Sequence, residues 1–161
     1  MNEIVNIRLD ERLIHGQVAT MWIGLTKATR VMVIDDDVVN DQLTKVLLKE
    51  ALPKDIKLSI LKVDTAIEKL NSGNYNGQRV FILVKTIKTL LELIEKGLNH
   101  KDFNLGNTSR KENQIQIAKS VYLDVDDVKK LREYEDQGYN ITVQMVPSES
   151  AVKFKDVVKE N

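Results

Sequence analysis

The sequence contains no cysteine, which removes disulfide bonds, thiolate metal sites and cysteine nucleophiles from consideration. Proline occurs only at Pro53 and Pro147, and seven glycines interrupt the 161 residues. With so little punctuation, and without a Ser/Gly-rich linker or an internal repeat, residues 1–161 read as a single domain. A short C-terminal tail is expected after about residue 147, where the last proline falls. An excess of either charge is missing too: 24 Lys and Arg stand against 24 Asp and Glu. That balance argues against a nucleic-acid partner, whose phosphates call for a basic excess or stripe. No apolar run approaches the roughly 20 residues of a membrane helix. The opening residues, MNEIVNIRLDE, put charges where a secretory signal needs an apolar core. The expectation is a cytoplasmic protein that reaches a membrane only through a partner.

Short β-rich runs alternate with stretches of helical period. Residues 4–9 and 57–61 read as strands, 30–34 is a nearly continuous apolar run of strand length, and 80–84 is the strongest strand signal. Between them, Val18, Met21, Trp22 and Leu25 fall on one helix face, and so do Leu43, Val46, Leu47 and Ala51. Ala66, Ile67 and Leu70 mark a short helix, and Ile87, Leu90, Leu91 and Ile94 the clearest one. Residues 119–123 and 140–146 read as later strands around a charged helix at about 124–137. Strands this apolar, joined by amphipathic helices, predict an α/β fold: a three-layer α/β/α sandwich around a mainly parallel sheet. Trp22 and Met21 are expected in its core, and His100 in a solvated polar turn.

Ligands of such sheets sit beyond the carboxyl ends of the strands, which directs attention to residues 10–16, 35–37, 85–86 and 104–110. His15 has the only imidazole in these segments. Arg8 and Arg12 precede it by seven and three residues, and Gly16 follows it. A neutral imidazole nitrogen is a nucleophile near pH 7, and guanidinium groups offer planar donors to phosphoryl oxygens. A helix starting near His15 would add backbone N–H groups to an anion site. Asp10 could hydrogen-bond one ring nitrogen and leave the other to attack. These residues suit a phosphohistidine, although a loop histidine beside arginines is also a common solvated surface feature. Asp35, Asp36 and Asp37 suggest a competing reading, a receiver-like or Mg²⁺-dependent binding module. Adjacent carboxylates are more often a helix cap and first turn, so no metal site is expected.

The segment RLDERLIHGQV, residues 8–18, resembles the R-[IV]-D-[DE]-R-L-[IL]-H-G-Q-V signature of the mannose/fructose/sorbose family of phosphotransferase-system IIB components. Similarity continues through RVMVIDDD (30–37), RVFILVK (79–85), NLGN (104–107) and VQMVP (143–147). One departure is Asn107, where the family often has a second glycine; asparagine is a residue that can still accept a positive φ there. The resemblance implies an α/β/α sandwich and a sugar-directed phosphotransferase without a cofactor. Its His15 would be phosphorylated on Nδ1 by a IIA domain and would pass the group to a sugar held by the membrane IIC and IID subunits. Arg12 would stabilise the phosphoryl group and Asp10 would orient the loop. Arg8 and Gly16 join Arg12 as phosphate-binding residues by proximity in sequence. Homo-oligomerisation is left open, and the Met1 start mildly favours a free subunit over a fragment of a IIA fusion.

Overall fold

The computed structural model describes residues 3–158, apart from the side chains of Gln17 and Val18. Val18, placed above on the apolar face of its helix, therefore lies outside the described side chains. The first seven strands and α-helices are β1 (Glu3–Asp10), α1 (Gly16–Thr26), β2 (Arg30–Ile34), α2 (Gln42–Ala51), β3 (Lys57–Leu61), α3 (Val63–Asn71) and β4 (Arg79–Val84), with a 3-10 turn at Val38–Asn40 before α2. They continue with α4 (Ile87–Glu95), β5 (Asp102–Asn107), the hairpin β6 (Ile115–Ala118) and β7 (Val121–Leu123), α5 (Val125–Asp136) and β8 (Asn140–Val143). The last two are β9 (Val152–Lys153) and α6 (Phe154–Val157). The main sheet has seven strands in the order β3-β2-β4-β1-β5-β8-β9. All its pairings are parallel except β8 with β9, so the expected architecture is present.

Alternation along the strands explains the layers. Met32, Ile34, Ile82, Val84, Ile7 and Leu9 point to one face, where α3, α4, α5 and α6 bury Ala66, Leu90, Leu131 and Phe154. Val31, Val33, Phe81 and Leu83 point to the other, against Trp22 and Ile23 of α1 and Leu48 of α2. That second layer covers only the β3-β2-β4 half of the sheet. Beyond it, the same face of β1, β5 and β8 carries Arg8, Asn104 and Thr142, a polar row joined by hydrogen bonds. The candidate site lies at the carboxyl end of this row.

Several expectations are corrected. Residues 104–107 are strand, not loop: Asp102, Asn104 and Gly106 alternate with buried Phe103 and Leu105. The segment after 147 is no loose tail, because β9 pairs with β8 and Phe154 of α6 is fully buried. α1 buries Trp22 and Ile23 and leaves Met21 exposed; α2 buries Leu48 and leaves Leu43, Val46 and Leu47 exposed. His100 is half-buried rather than solvated, edge-on to Phe103 at 6.2 Å between ring centroids. Desolvation holds its pKa below the usual 6.5 despite the pull of Asp102. As pH falls through 6.5 the unfolded chain takes up this proton before the folded chain, so stability is lost on acidification. The melting temperature of the wild type is therefore expected to fall further between pH 7.5 and 5.5 than that of His100→Gln. Parallel melting curves for the two proteins across that range would refute it.

Candidate active site

β1 ends on Asp10, whose carboxylate is buried, and the chain turns at once: the Leu13 N–H donates to the Asp10 carbonyl at 2.9 Å. Leu13 has a φ of 57°, a region few bulky side chains adopt. Burial of Leu13 and Ile14 holds that conformation in place and projects the next residue outward. His15 is exposed and extended (φ −137°, ψ 108°) and forms the N-cap of α1. It makes no side-chain cap bond, and the first turn of α1 holds no acidic side chain. The positive end of the helix dipole is therefore left to an external anion. Gly16 has a φ of 47° with open space around it, so its lack of a side chain serves the backbone turn and keeps the approach clear.

Arg12 is bound to Asp10 by three contacts. Its backbone N–H donates to Oδ1 at 3.0 Å, Nε to Oδ1 at 3.1 Å and Nη2 to Oδ2 at 3.1 Å. The fork geometry fixes the exposed guanidinium relative to a buried carboxylate. Asp10 thus holds the arginine and not the imidazole; among the described residues nothing hydrogen-bonds the His15 ring. The expectation that Asp10 selects a tautomer of His15 is corrected accordingly.

Arg8 departs furthest from its expected role. It is 1% exposed, and its guanidinium points under the loop instead of out of it. Nη1 donates to Asn104 Oδ1 and to the Gln144 carbonyl, both at 2.7 Å, and Nη2 donates to the Met145 carbonyl at 2.6 Å. Nε stands 3.5 Å from Asp10 Oδ2, close enough to pair electrostatically but not hydrogen-bonded. Trp22 stacks over the group, 4.8 Å from ring centroid to Cζ. Burial lowers the Arg8 pKa to about 10 against the opposing pull of Asp10. Arg8 is an internal support for Asp10, inaccessible to a phosphoryl group.

Three supports were not singled out from sequence. The backbone at Gly106 passes so close to Arg8 that a Cβ there would overlap the guanidinium carbon. Glu11 accepts from the Ser109 N–H at 2.8 Å and from its hydroxyl at 2.9 Å, and the Glu11 N–H donates to the Asn107 carbonyl at 2.9 Å. These bonds fasten the loop after β1 to the end of β5. Asn107 ends β5 in register with Asp10 and has no positive φ. The left-handed residue near this edge is Leu13. A tertiary hydrogen bond such as that between Glu11 and Ser109 leaves no signal in the sequence, because its partners are 98 residues apart.

The carboxylates of Asp35 and Asp36 are engaged with backbone N–H groups. Asp35 Oδ1 accepts the N–H groups of Asp37 and Val38, and Asp36 Oδ1 accepts the Val63 N–H at the start of α3, each at 2.9 Å. These are turn and cap bonds. Among the described residues no three His, Asp or Glu side chains converge as metal ligands would.

The family model of the sorbose-subfamily IIB component of the PTS, the bacterial phosphotransferase system, matches residues 4–161. This chain belongs to that family. The sorbose-specific EIIB component of Lacticaseibacillus casei is 34% identical over 142 residues, 88% of this chain and 87% of its own. The mannose-specific EIIAB component of Escherichia coli K12 is 29% identical over 95% of this chain, which matches 47% of that longer protein. The crystal structure of the IIB domain of the Klebsiella pneumoniae sorbose permease superposes with a TM-score of 0.88. It is 30% identical, and the match covers 96% of this chain and 95% of that one. As a sugar-specific IIB component the chain has a phosphotransferase role in carbohydrate uptake. No helix among the described residues is long and apolar enough to cross a membrane.

Proposed function

We propose that His15 is the phosphorylated residue of this IIB component. It receives phosphoryl from a phosphohistidine of a IIA domain and gives it to a sugar carried by the IIC and IID membrane subunits. The observation that supports this most is the presentation of His15: exposed, without a side-chain hydrogen bond among the described residues, and set at an uncapped helix N-terminus three residues after Arg12. A IIA partner is further supported by the fused EIIAB relative. Work at the cytoplasmic face of the membrane follows from the same reading.

In the first transfer a ring nitrogen of His15 forms a P–N bond while the donor's P–N bond breaks, its electron pair returning to the donor imidazole. In the second, a sugar hydroxyl forms the P–O bond, the pair of the P–N bond returns to His15, and the hydroxyl proton is released. Such exchanges need alignment and charge neutralisation more than covalent help. Arg12 and the first backbone N–H groups of α1 supply them without a metal. Asp10 aims Arg12, Arg8 holds Asp10 from beneath, and Gly16 keeps the approach open.

The test is labelling from phosphoenolpyruvate through the general phosphotransferase proteins and a cognate IIA. The product is expected to be acid-labile and alkali-stable, as a phosphoramidate is; an alkali-labile acyl phosphate would refute the assignment. Arg12→Ala is expected to slow single-turnover transfer by roughly 10²-fold, in the range of other removed charge-stabilising donors, with the fold retained. Unchanged transfer would take Arg12 out of the site.

A further inference from the structure

One buried donor beneath the loop has no partner. Arg8 gives Nη1 to Asn104 and the Gln144 carbonyl and Nη2 to the Met145 carbonyl. Its Nε–H is closed off from solvent and reaches no acceptor among the described residues. Leaving a buried donor of a charged group unbonded is costly, so such an atom calls for a reason. The position of Asp10 supplies one. Asp10 Oδ2 stands 3.5 Å from that Nε, about half an ångström beyond a hydrogen bond. Both carboxylate oxygens are already taken by the fork of Arg12, which fixes the plane of the carboxylate as well as its place. Arg8 cannot close the gap itself, because the Gly106 backbone, the Trp22 ring and three acceptors confine its guanidinium. Asp10 can therefore bond fully to one arginine or to the other. The two differ in freedom: Arg8 is 1% exposed, whereas the Arg12 side chain is 35% exposed.

We propose that Arg8 is a positioning residue for phosphoryl transfer, taking over the Asp10 carboxylate when Arg12 turns to a phosphoryl group on His15. The inference rests on the reading of His15 given above. While Asp10 occupies the Nε–Nη2 edge of Arg12, the guanidinium is tied to the floor of the loop and its charge is offset. Release of that edge gives the phosphoryl dianion a bidentate donor pair and a positive charge that no carboxylate cancels. Without Arg8, release would strand a buried carboxylate, and a stranded buried charge opposes the turn. With Arg8, a shift of Oδ2 by about half an ångström completes the missing N–H···O bond. Asp10 also keeps the backbone N–H of Arg12, a bond that does not depend on where the Arg12 side chain points. Arg8 stays cationic throughout at neutral pH, since burial lowers its pKa only to about 10. Discharge of the phosphoryl group reverses the exchange, and Asp10 recaptures Arg12.

The experiment follows the arginine Nε–H signals of the full chain by nitrogen-15 NMR, with the Arg8 signal assigned by through-bond correlation to its backbone. In Arg12→Ala, with no phosphoryl donor present, the Arg8 Nε proton is expected to move downfield by roughly 0.5 ppm as a charge-assisted bond to Asp10 forms. In wild type phosphorylated on His15 it is expected to move in the same direction, and the Arg12 Nε signal to move with it. Kinetics supply a second arm. Arg8→Gln is expected to slow single-turnover loading of His15 about ten-fold in an otherwise wild-type chain, and to change it little in the Arg12→Ala background. A merely structural loss would appear equally in both backgrounds. An Arg8 Nε signal that stays in place in Arg12→Ala, or in the phosphorylated wild type, overturns the proposal. So do equal losses from Arg8→Gln in the two backgrounds. Should Arg8→Gln not fold, the two spectra decide alone. Failure of the His15 reading looks different: His15→Ala keeps its label, while the Arg12→Ala spectrum needs no phosphoryl group.

Discussion

His15→Ala is expected to abolish phosphoryl labelling and, with it, the ability of the chain to support sugar uptake. No other side chain of the loop can substitute: Arg8 is buried, Arg12 cannot act as a nucleophile at neutral pH, and Asp10 is held by Arg12. Alanine should cost little stability, because His15 is exposed and its side chain makes no cap bond. The melting temperature should therefore match the wild type within the small scatter of surface substitutions. The measurement is incorporation of label from phosphoenolpyruvate through the general proteins and IIA, alongside a thermal melt. Label retained at the wild-type level in a folded His15→Ala protein would place the phosphoryl group elsewhere.

The second large effect is expected far from any reacting atom. A methyl group at Gly106 overlaps the Arg8 guanidinium, which has no room to withdraw under Trp22. Gly106→Ala should displace Arg8 from the Asn104 oxygen and from the Gln144 and Met145 carbonyls. It would also remove one of the two cations from beside Asp10. Breaking a buried charge away from its partners costs about 3–5 kcal/mol. For a chain of this length that corresponds to a melting temperature lower by roughly 10 °C. Arg8→Ala should be destabilising as well, since it strips the same acceptors. The diagnostic is the double variant. With Arg8 truncated the added methyl finds space, so Gly106→Ala should cost much less in the Arg8→Ala background. Additive losses in that cycle would show that Gly106 serves something other than clearance for Arg8.

Much of the framework was readable because apolar runs of strand length rarely mean anything else when helical stripes separate them. Residues 30–34 and 80–84 illustrate this: both became central strands flanked by helices. The errors have physical causes. In α1 two overlapping stripes satisfy helical spacing, 18/21/22/25 and 19/22/23/26. The sequence favours the more apolar first, whereas packing on Phe81 selects the second, which buries Trp22 and Ile23. β5 was missed because its large apolar residues are only Phe103 and Leu105, too few to stand out from a polar stretch.

The site divides in the same way. The exposed His15 and Arg12 could be named from the chemistry of their side chains and from the resemblance of residues 8–18 to a known signature. Arg8 carries the same guanidinium as Arg12 but opposite surroundings. The available clue was its place between Ile7 and Leu9 in a strand, which puts its side chain on the face opposite theirs. That parity indicates burial under the loop, though it does not reveal Asn104, Gln144 and Met145 as partners.

The clasp of Glu11 on Ser109 has a bearing on energy flow. A residue that both accepts and donates a phosphoryl group is useful only if its loaded and unloaded forms lie close in free energy. A loop that had to order itself around the incoming group would surrender conformational entropy at each loading and recover it at each discharge. That cycle would either weaken the acceptance step or trap the intermediate. Here the start of the turn is already fixed, by Asp10 under Arg12 and by the hydrogen bonds that tie Glu11 to Asn107 and Ser109. Under the proposed function, the ordering cost of that segment is met once, during folding, and little of the transfer potential of a phosphoryl group on His15 would be spent on reshaping it.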